Sequence, residues 1–310
     1  MNPLVTIMIA TYNQPGYIKQ AVESCLNQDY DHLEVVVGDD STNDDNYKVL
    51  VPLLSNKKLR YFKNEKNLGR VKNYKHLLFE LAQGEWAVML DGDDYYTDMS
   101  FISKAVNLIN KNEDMVLVAA GHLISDEQQG LNVAEQLIKE DTIFDGRDIF
   151  YKHLRLGQHS TNIYKRQLAI DLDFYRLDSM GTDSEGLFRI CLHGKVAYLA
   201  DIVVSWRIHT TNNTFKADDA LKQMREMVFI DNVYKYALNF IDKKTAKSWR
   251  KYLYTSMSYH IMHLAEQSGK RKNVLYVLKW ASKYWGMRNT LGFLKRYGYQ
   301  SLVSGKPSAK

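Results

Sequence analysis

Cysteine is scarce in this sequence: two residues in 310, Cys25 and Cys191. Each lies inside an amphipathic pattern without metal-ligand spacing, so buried free thiols are expected rather than a disulfide or a zinc site. No apolar run approaches the ~18 to 20 residues that a membrane-spanning helix needs. The N-terminal MNPLVTIMIATYNQ lacks the basic start and small-residue cleavage site of a secretory signal, which implies a cytoplasmic chain. No G-x-G-x-x-G follows the first strand pattern, where the turn reads ATYNQPGYI. That argues against a nicotinamide cofactor and against a Walker-type phosphate loop. Neither an internal repeat nor a low-complexity linker divides the chain, whose length provides core enough for one large domain or two ordinary ones.

Acid is nearly absent from the C-terminal region. From Lys243 to Lys310 there are 15 Lys and Arg against one acid, Glu266, a net +14. Met1 to Asp242 holds 26 basic and 35 acidic residues, a net −9, so the overall +5 conceals an acidic body and a basic tail. Such asymmetry points to a polyanionic partner, either anionic lipid headgroups or nucleic acid. Aromatics run through the tail, among them Trp249, Tyr252, Tyr254, Tyr276, Trp280, Tyr284, Trp285, Phe293, Tyr297 and Tyr299. Much of that stripe should be helix core. Around it stand Lys270, Arg271, Lys272, Lys279, Lys283, Arg288, Lys295 and Arg296, the arrangement of helices lying on an anionic membrane face. No recognised nucleic-acid motif accompanies the charge, and no nucleic-acid partner is expected.

The first hundred residues alternate strand and helix patterns. LVTIMIA reads as a buried strand, and GYIKQAVESCLNQ as an amphipathic helix with Ile18, Ala21, Val22, Cys25 and Leu26 on one face. LEVVVGDD is a second strand, NYKVLVPLL a helix interrupted by Pro52, and LRYFKN a third strand. RVKNYKHLLFELAQG predicts a helix closed by Gly84 as C-cap, and EWAVMLDGDD the fourth strand. This series predicts an α/β fold with a mainly parallel sheet and ligands beyond the strands' carboxyl ends. Further on, a helix is expected near Phe101 to Lys111 and a strand over MVLVAAG, with DEQQGLNVAEQLIKEDT as a loop or weak helix. STNIYK follows as a short strand, TDSEGLFRICLHGK as a helix closed by Gly194, and VAYLADIVVSWRIH as two short strands around Asp201. Three helices complete the pattern, over DALKQMREMVFIDNVYKYALNFI, KSWRKYLYTSMSYHIMHLAEQ and KNVLYVLKWASKYW.

Two acidic clusters fall at strand ends: Asp39 and Asp40 after the second strand, Asp91, Asp93 and Asp94 after the fourth. Helix N-caps and Asx-turns explain single residues such as Asp44 or Asp94. Two clusters converging on one crevice suggest a cation instead. Carboxylates without cysteine or clustered histidine favour a hard divalent ion, Mg²⁺ or Mn²⁺, of the kind that bridges carboxylate to substrate phosphate.

VTIMIATYNQPGYIKQAVESCLNQDYDHLEVVVGDDSTND followed by NLGRVKNYKHLLFELAQGEWAVMLDGDDYY resembles the nucleotide-sugar-binding half of the inverting family-2 glycosyltransferases, which have the GT-A fold. TDSEGLFRICLHGKVAYLADIVVSWRIH is similar to that family's acceptor-side segment, and together the likeness covers about two-thirds of the chain. The resemblance implies a metal-dependent enzyme with Mn²⁺ or Mg²⁺. It would move a hexose or N-acetylhexosamine from a UDP-sugar to a saccharide hydroxyl, in assembly of a surface polysaccharide or glycolipid. On the donor side it implies Thr11, Tyr12 and Asn13 at the nucleotide, Asp39 (with Asp40) at the base, and Asn67, Gly69, Arg70 and Asn73 along the site, with Lys72 before the last. Asp91-Gly92-Asp93 stands at the family's DXD motif, with Asp93 on the metal, Asp91 at the ribose or a metal-bound water, and Asp94 as support. The base that takes the acceptor proton would be Asp183, where Thr182 replaces the Glu of the family's usual Glu-Asp pair. Glu185 remains its rival, and Asp183 has the alternative of capping the following helix. His209 is weighed evenly as a metal or diphosphate contact. Arg207 serves phosphate or an ordinary salt bridge, while His159 and Ser160, just before the strand TNIYK, have an acceptor-facing reading and a simpler structural one, which is preferred.

The expected division is a catalytic domain over 1–215, with a donor half to 100 and an acceptor half from 101, then a basic helical region over 216–310. Acceptors would be saccharides or lipid-linked saccharides, met at the inner face of the cell membrane. Two other functions stay open: a sugar-nucleotide nucleotidyltransferase, which would want a Gly-rich basic loop after its first strand, and a non-catalytic nucleotide-sugar or membrane-binding module.

Overall fold

The computed structural model describes residues 2–210, 220–267 and 270–297, and the chain divides into two compact units, Met1–Thr210 and Thr211–Lys310. The first begins with β1 (Val5–Thr11), α1 (Ile18–Leu26), β2 (Leu33–Asp39), α2 (Asp45–Leu50), β3 (Leu59–Lys63), α3 (Arg70–His76) and β4 (Trp86–Asp91). β1 and β2 are buried at every residue. This is why they read as continuous apolar runs: a parallel strand covered on both faces has no polar side to alternate with. Pro52 ends α2 in a single 3₁₀ turn, as expected. Parallel pairing sets Thr11 opposite Asp39 and Ala10 opposite Asp91. The acids closing β2 and β4 therefore flank the end of β1, on the edge where parallel α/β sheets bind ligands.

Gly84 does not cap α3. The helix widens into a π-helical segment over Leu77–Leu81 and stops at Ala82, whose backbone is extended. Gly84 answers a steric demand instead: a Cβ there would lie 2.7 Å from Thr6 N and Oγ1, and its N–H donates to Thr6 Oγ1 at 2.8 Å.

Next come β5 (Tyr95–Tyr96), α4 (Phe101–Asn110), β6 (Met115–Asp126), β7 (Leu131–Glu135), β8 (Thr142–Asp145), α5 (Asp148–Tyr151), β9 (Asn162–Lys165), α6 (Arg166–Asp171), α7 (Thr182–Cys191) and β10 (Lys195–Ile208). One sheet runs β3-β2-β1-β4-β9-β6-β10-β5, with β7 beside β6 and β8 beside β10. It is mixed: the long pairings β1–β2, β1–β4, β2–β3 and β6–β10 are parallel, as expected, and shorter antiparallel strands join them. β9 enters antiparallel to both β4 and β6, because the strand–helix alternation stops after β4. The segment read as a loop or weak helix holds β7, hairpinned onto β6 through Gly130 at φ 64°. Its residues are mostly exposed, so no buried side marks the strand in the sequence. The two short strands expected around Asp201 are one, β10, whose register against β6 shifts between Tyr198 and Val204. Lys104 reaches Asp201 at 3.0 Å and Asp98 at 2.8 Å.

The second unit contains α8 (Ala220–Glu226), α9 (Val228–Ala237), α10 (Lys243–Gln267) and α11 (Arg271–Tyr297). The first expected helix is split in two at Met227, and α11 is interrupted at Gly286, φ 73°. Tyr254 stacks on Tyr284 at 4.2 Å and Tyr259 on Trp285 at 4.4 Å, so much of the aromatic stripe is core. Tyr299 and the expected 215/216 boundary lie outside the described residues, as do the side chains of Arg271, Arg288, Phe293, Lys295, Arg296 and Tyr297. Both cysteines are buried and free. No helix among the described residues is long and apolar enough to cross a membrane.

Candidate active site

The turn after β4 is built around a glycine. A Cβ on Gly92 would lie 2.7 Å from Thr11 Cβ and Oγ1, so only glycine lets the acidic turn tuck against the end of β1. The N–H of Gly92 donates to Ala10 O at 2.9 Å, and that of Asp94 to Asp91 O at 3.0 Å. Three carboxylates leave this turn in different directions. Asp91 accepts from the Tyr74 hydroxyl at 2.5 Å and lies 3.1 Å from His159 Nε2. Burial pushes its carboxyl up, but the His159 charge and hydrogen bond, with help from Tyr74 and Arg70, outweigh this and hold it at about 2. The carboxylate in turn raises His159 against the opposing effect of burial.

Asp93 Oδ2 lies 3.0 Å from His209 Nε2. Asp94 accepts from the Arg207 N–H at 2.9 Å, deep in the fold. Burial raises the Asp93 carboxyl and the Asp91 charge adds to it, while Asp94 is raised well above its ordinary value by burial and its two neighbours. Mutual repulsion in the turn is thus incompletely relieved by the protein, and a bound cation would lower all three energies at once.

His209 follows directly on β10, and its ring stacks on Tyr17 at 4.6 Å, while the Tyr17 hydroxyl reaches Glu127 at 3.3 Å. Asp93 and His209 together form a carboxylate–imidazole pair of the donor types that hold a divalent metal ion. Among the described residues no group of three or more His, Cys, Asp and Glu could hold a metal. An ion here would need its remaining ligands from a bound phosphate or water. Arg207 is engaged within the protein: it bonds Gln20, lies 3.6 Å from Glu127 and stacks over Tyr95 at 4.4 Å. The contact to Glu127 is the ordinary salt bridge expected of it.

Beside this turn lies the end of β2. Asp39 is fully buried and accepts from Tyr61 OH at 2.6 Å, Ser41 N at 3.0 Å and Asn46 Nδ2 at 3.1 Å. Asn46 also donates to Thr11 Oγ1 and Ser41 Oγ and accepts from Gln14 N–H. Asn13, at φ 51°, is joined to Ser41 and Thr42, while Tyr12 is 49 % exposed. Arg70 and Lys72 are exposed, with the Arg70 guanidinium 5.7 Å from the Tyr74 ring centroid and bonded to Ser179 O.

Asp40 is held by the loop before α3. Its two oxygens accept from Asn64 Nδ2 (2.8 Å), Leu68 N (2.7 Å), Asn67 Nδ2 (3.0 Å) and Gly69 N (2.8 Å). Asn73 bonds Gly38 O and accepts from Asn64. Asp40, Asn67 and Asn73, expected along the donor, therefore form a clasp that ties the loop before α3 to the end of β2. The carboxylate's four lone-pair sites are all taken.

On the acceptor side, Asp183 sits in the first turn of α7, half-buried, and its charge is felt at Tyr74, His159 and Tyr175. The N-cap of α7 is Gly181, so Asp183 is not the cap. Glu185 is fully buried, with one oxygen on Arg176 and the other 3.4 Å from Arg189. Both of its oxygens are thus engaged by guanidiniums within the fold. Ser160 is fully buried. The residues sequence patterning missed are Tyr17, Asn46, Tyr61 and Tyr74. His159, singled out for its place just before the short strand β9, meets Asp91 rather than solvent.

The Glycosyl transferase family 2 profile matches residues 6–172. An uncharacterized glycosyltransferase of Rickettsia felis is 33% identical over 144 residues, 46% of this chain and 23% of that protein. The poly(ribitol-phosphate) beta-N-acetylglucosaminyltransferase TarS of Staphylococcus aureus is 24% identical over 189 residues, 59% of this chain and 31% of its own. The matched region thus spans under a third of these relatives. Among solved structures, TarS 1–349 in complex with UDP superposes with a TM-score of 0.60 at 18% identity, covering 97% of this chain and 77% of that one. Mannosyltransferase PcManGT from Pyrobaculum calidifontis, in complex with GDP-Man and Mn²⁺, gives 0.61 at 17%, covering 97% and 81%. At these identities the structural likeness is one of fold.

Proposed function

Since the chain belongs to glycosyl transferase family 2 and has the GT-A fold of its structural neighbours, we propose that it is a metal-dependent inverting glycosyltransferase. It moves a hexose or N-acetylhexosamine from a UDP-sugar to a hydroxyl of a saccharide or lipid-linked saccharide, in surface polysaccharide or glycolipid assembly. The observation that carries this is the acidic turn itself: Asp93 meets His209 at 3.0 Å beside Asp91, with the charge of Asp183 reaching the two residues that grip Asp91. Support for a sugar nucleotide comes from the neighbours, TarS with UDP-GlcNAc and PcManGT with GDP-Man.

In this scheme Thr11, Tyr12, Asn13 and Asp39 receive the nucleotide, and Asp39 accepts the imide N–H of uracil. Gly69 and Arg70 border the donor, and Asp91 holds the ribose or a metal-bound water. Asp93 and His209 bind Mn²⁺ or Mg²⁺, which when present neutralises charge on the departing diphosphate. Asp183 accepts the proton of the attacking hydroxyl as the new bond forms at C1. Residues 1–215 act as the catalytic domain, and the basic region over 216–310 holds the enzyme peripherally at the anionic cytoplasmic face of the membrane.

Two measurements test the scheme. Titration with UDP-, GDP- and dTDP-sugars, with and without Mn²⁺, should show tight binding of a UDP-sugar only with metal; indifference to metal would remove Asp93 from its role. Asp183→Asn should abolish transfer while leaving UDP–Mn²⁺ affinity unchanged, and retained transfer would exclude it as the base.

A further inference from the structure

α11 has two opposite faces in its first four turns. Val277, Ala281 and Trp285 are buried. On the other side stand Lys272, Leu275, Tyr276, Lys279 and Lys283, all exposed, at spacings of three, four, seven and eleven residues from Lys272. These spacings place the five within one stripe of about 100°. Leu275 is 44 % and Tyr276 56 % exposed, two large apolar bodies turned to solvent between three lysines.

Among the described residues of α11 there is no acid. The single carboxyl from Lys243 onward, Glu266, lies on α10, half-buried, where burial pushes it up to about 7. An ordinary solvated helix face mixes the two signs; this one pairs a single sign with exposed apolar surface. Lysine stems run along apolar surface while their ammonium heads seek anions, and a leucine and a tyrosine between them can enter the boundary of headgroup and acyl chain.

We propose that the stripe Lys272, Leu275, Tyr276, Lys279 and Lys283 is the surface through which this chain seats on an anionic lipid bilayer. The inference deepens the peripheral attachment put forward above, by fixing which face makes the contact. Binding should have two parts: a salt-sensitive attraction from the lysines and a salt-resistant part from Leu275 and Tyr276.

The test is co-sedimentation of the full chain with phosphatidylcholine vesicles containing about a quarter phosphatidylglycerol, and with pure phosphatidylcholine, over a range of salt. At about 1 kcal/mol per basic residue near an anionic surface, each lysine is worth roughly fivefold, so Lys272→Gln/Lys279→Gln/Lys283→Gln should weaken binding on the order of a hundredfold. Leu275→Ser/Tyr276→Ser should remove the portion that survives high salt. A charge-matched control, Lys243→Gln/Lys244→Gln/Lys247→Gln, changes exposed lysines of α10 and should lose clearly less. Circular dichroism should show all variants folded. Equal loss in the control would overturn the stripe as the contact while leaving membrane attachment standing. Failure of the unaltered chain to bind anionic vesicles, or its preference for duplex DNA over them, would overturn the attachment itself.

Discussion

Replacing Asp40 by Asn should cost stability rather than nucleotide affinity. Each Asp40 oxygen accepts two donors, and two of the four are the backbone N–H groups of Leu68 and Gly69. An asparagine keeps one oxygen and turns an NH₂ toward the other pair, so two charge-assisted bonds vanish and donors face donors. Hydrogen bonds to a charged group contribute roughly 1.5 to 3 kcal/mol each. Asn67 is exposed and can turn to water, which places the expected loss near the low end, about 3 kcal/mol. For a unit of this size that is a drop of roughly 6 to 12 °C in Tm. Thermal unfolding would register it, and amide hydrogen exchange should show Leu68 and Gly69 opening first. An unchanged Tm with UDP affinity reduced tenfold or more would refute the clasp and return Asp40 to the nucleotide.

Three further outcomes follow from the same geometry. Glu185→Gln removes a buried charge that pairs with both Arg176 and Arg189 and should destabilise the chain by about 3 kcal/mol; turnover per folded molecule should survive, and abolished turnover at unchanged stability would make Glu185 the base. Gly92→Ala forces a methyl to 2.7 Å from Thr11 and should cost roughly 1 to 3 kcal/mol, with weaker Mn²⁺-dependent UDP binding because Asp91 and Asp93 shift together; wild-type calorimetric titrations would contradict this. His209→Ala should weaken Mn²⁺–UDP binding by on the order of tenfold or more, the scale of loss seen even for outer-shell partners of a metal, and an unchanged affinity would leave Asp93 without its proposed co-ligand.

The first hundred residues were legible because each element there carries a strong local signal. β1, β2 and β4 are apolar runs, α1 is amphipathic, and Pro52 stops α2 where a missing N–H must. Beyond β4 the signals weaken. β7 lies exposed along its length, and β10 passes Asp201 through an irregularity that reads as a break. Gly84 illustrates a different limit. A glycine near a helix end has two explanations, a cap or a close approach, and only the position of Thr6 decides between them.

By itself the sequence determined that carboxylates close β2 and β4, that the sheet's first half is parallel, and that basic charge gathers at the C-terminus; local pattern and composition suffice for each. Tertiary structure alone decided what each acid touches. Asp39 and Asp40 are neighbours, yet successive side chains of extended backbone point to opposite sides: one meets Tyr61 and Asn46, the other spends every lone pair on the loop before α3. Likewise, Asp93 finds His209 116 residues away and Asp91 finds His159 68 away. No sequence period encodes such pairs. They exist because β9 returns to the sheet beside β4 with His159 in the turn before it, and β10, which pairs with β5 just past the acidic turn, delivers His209 at its end.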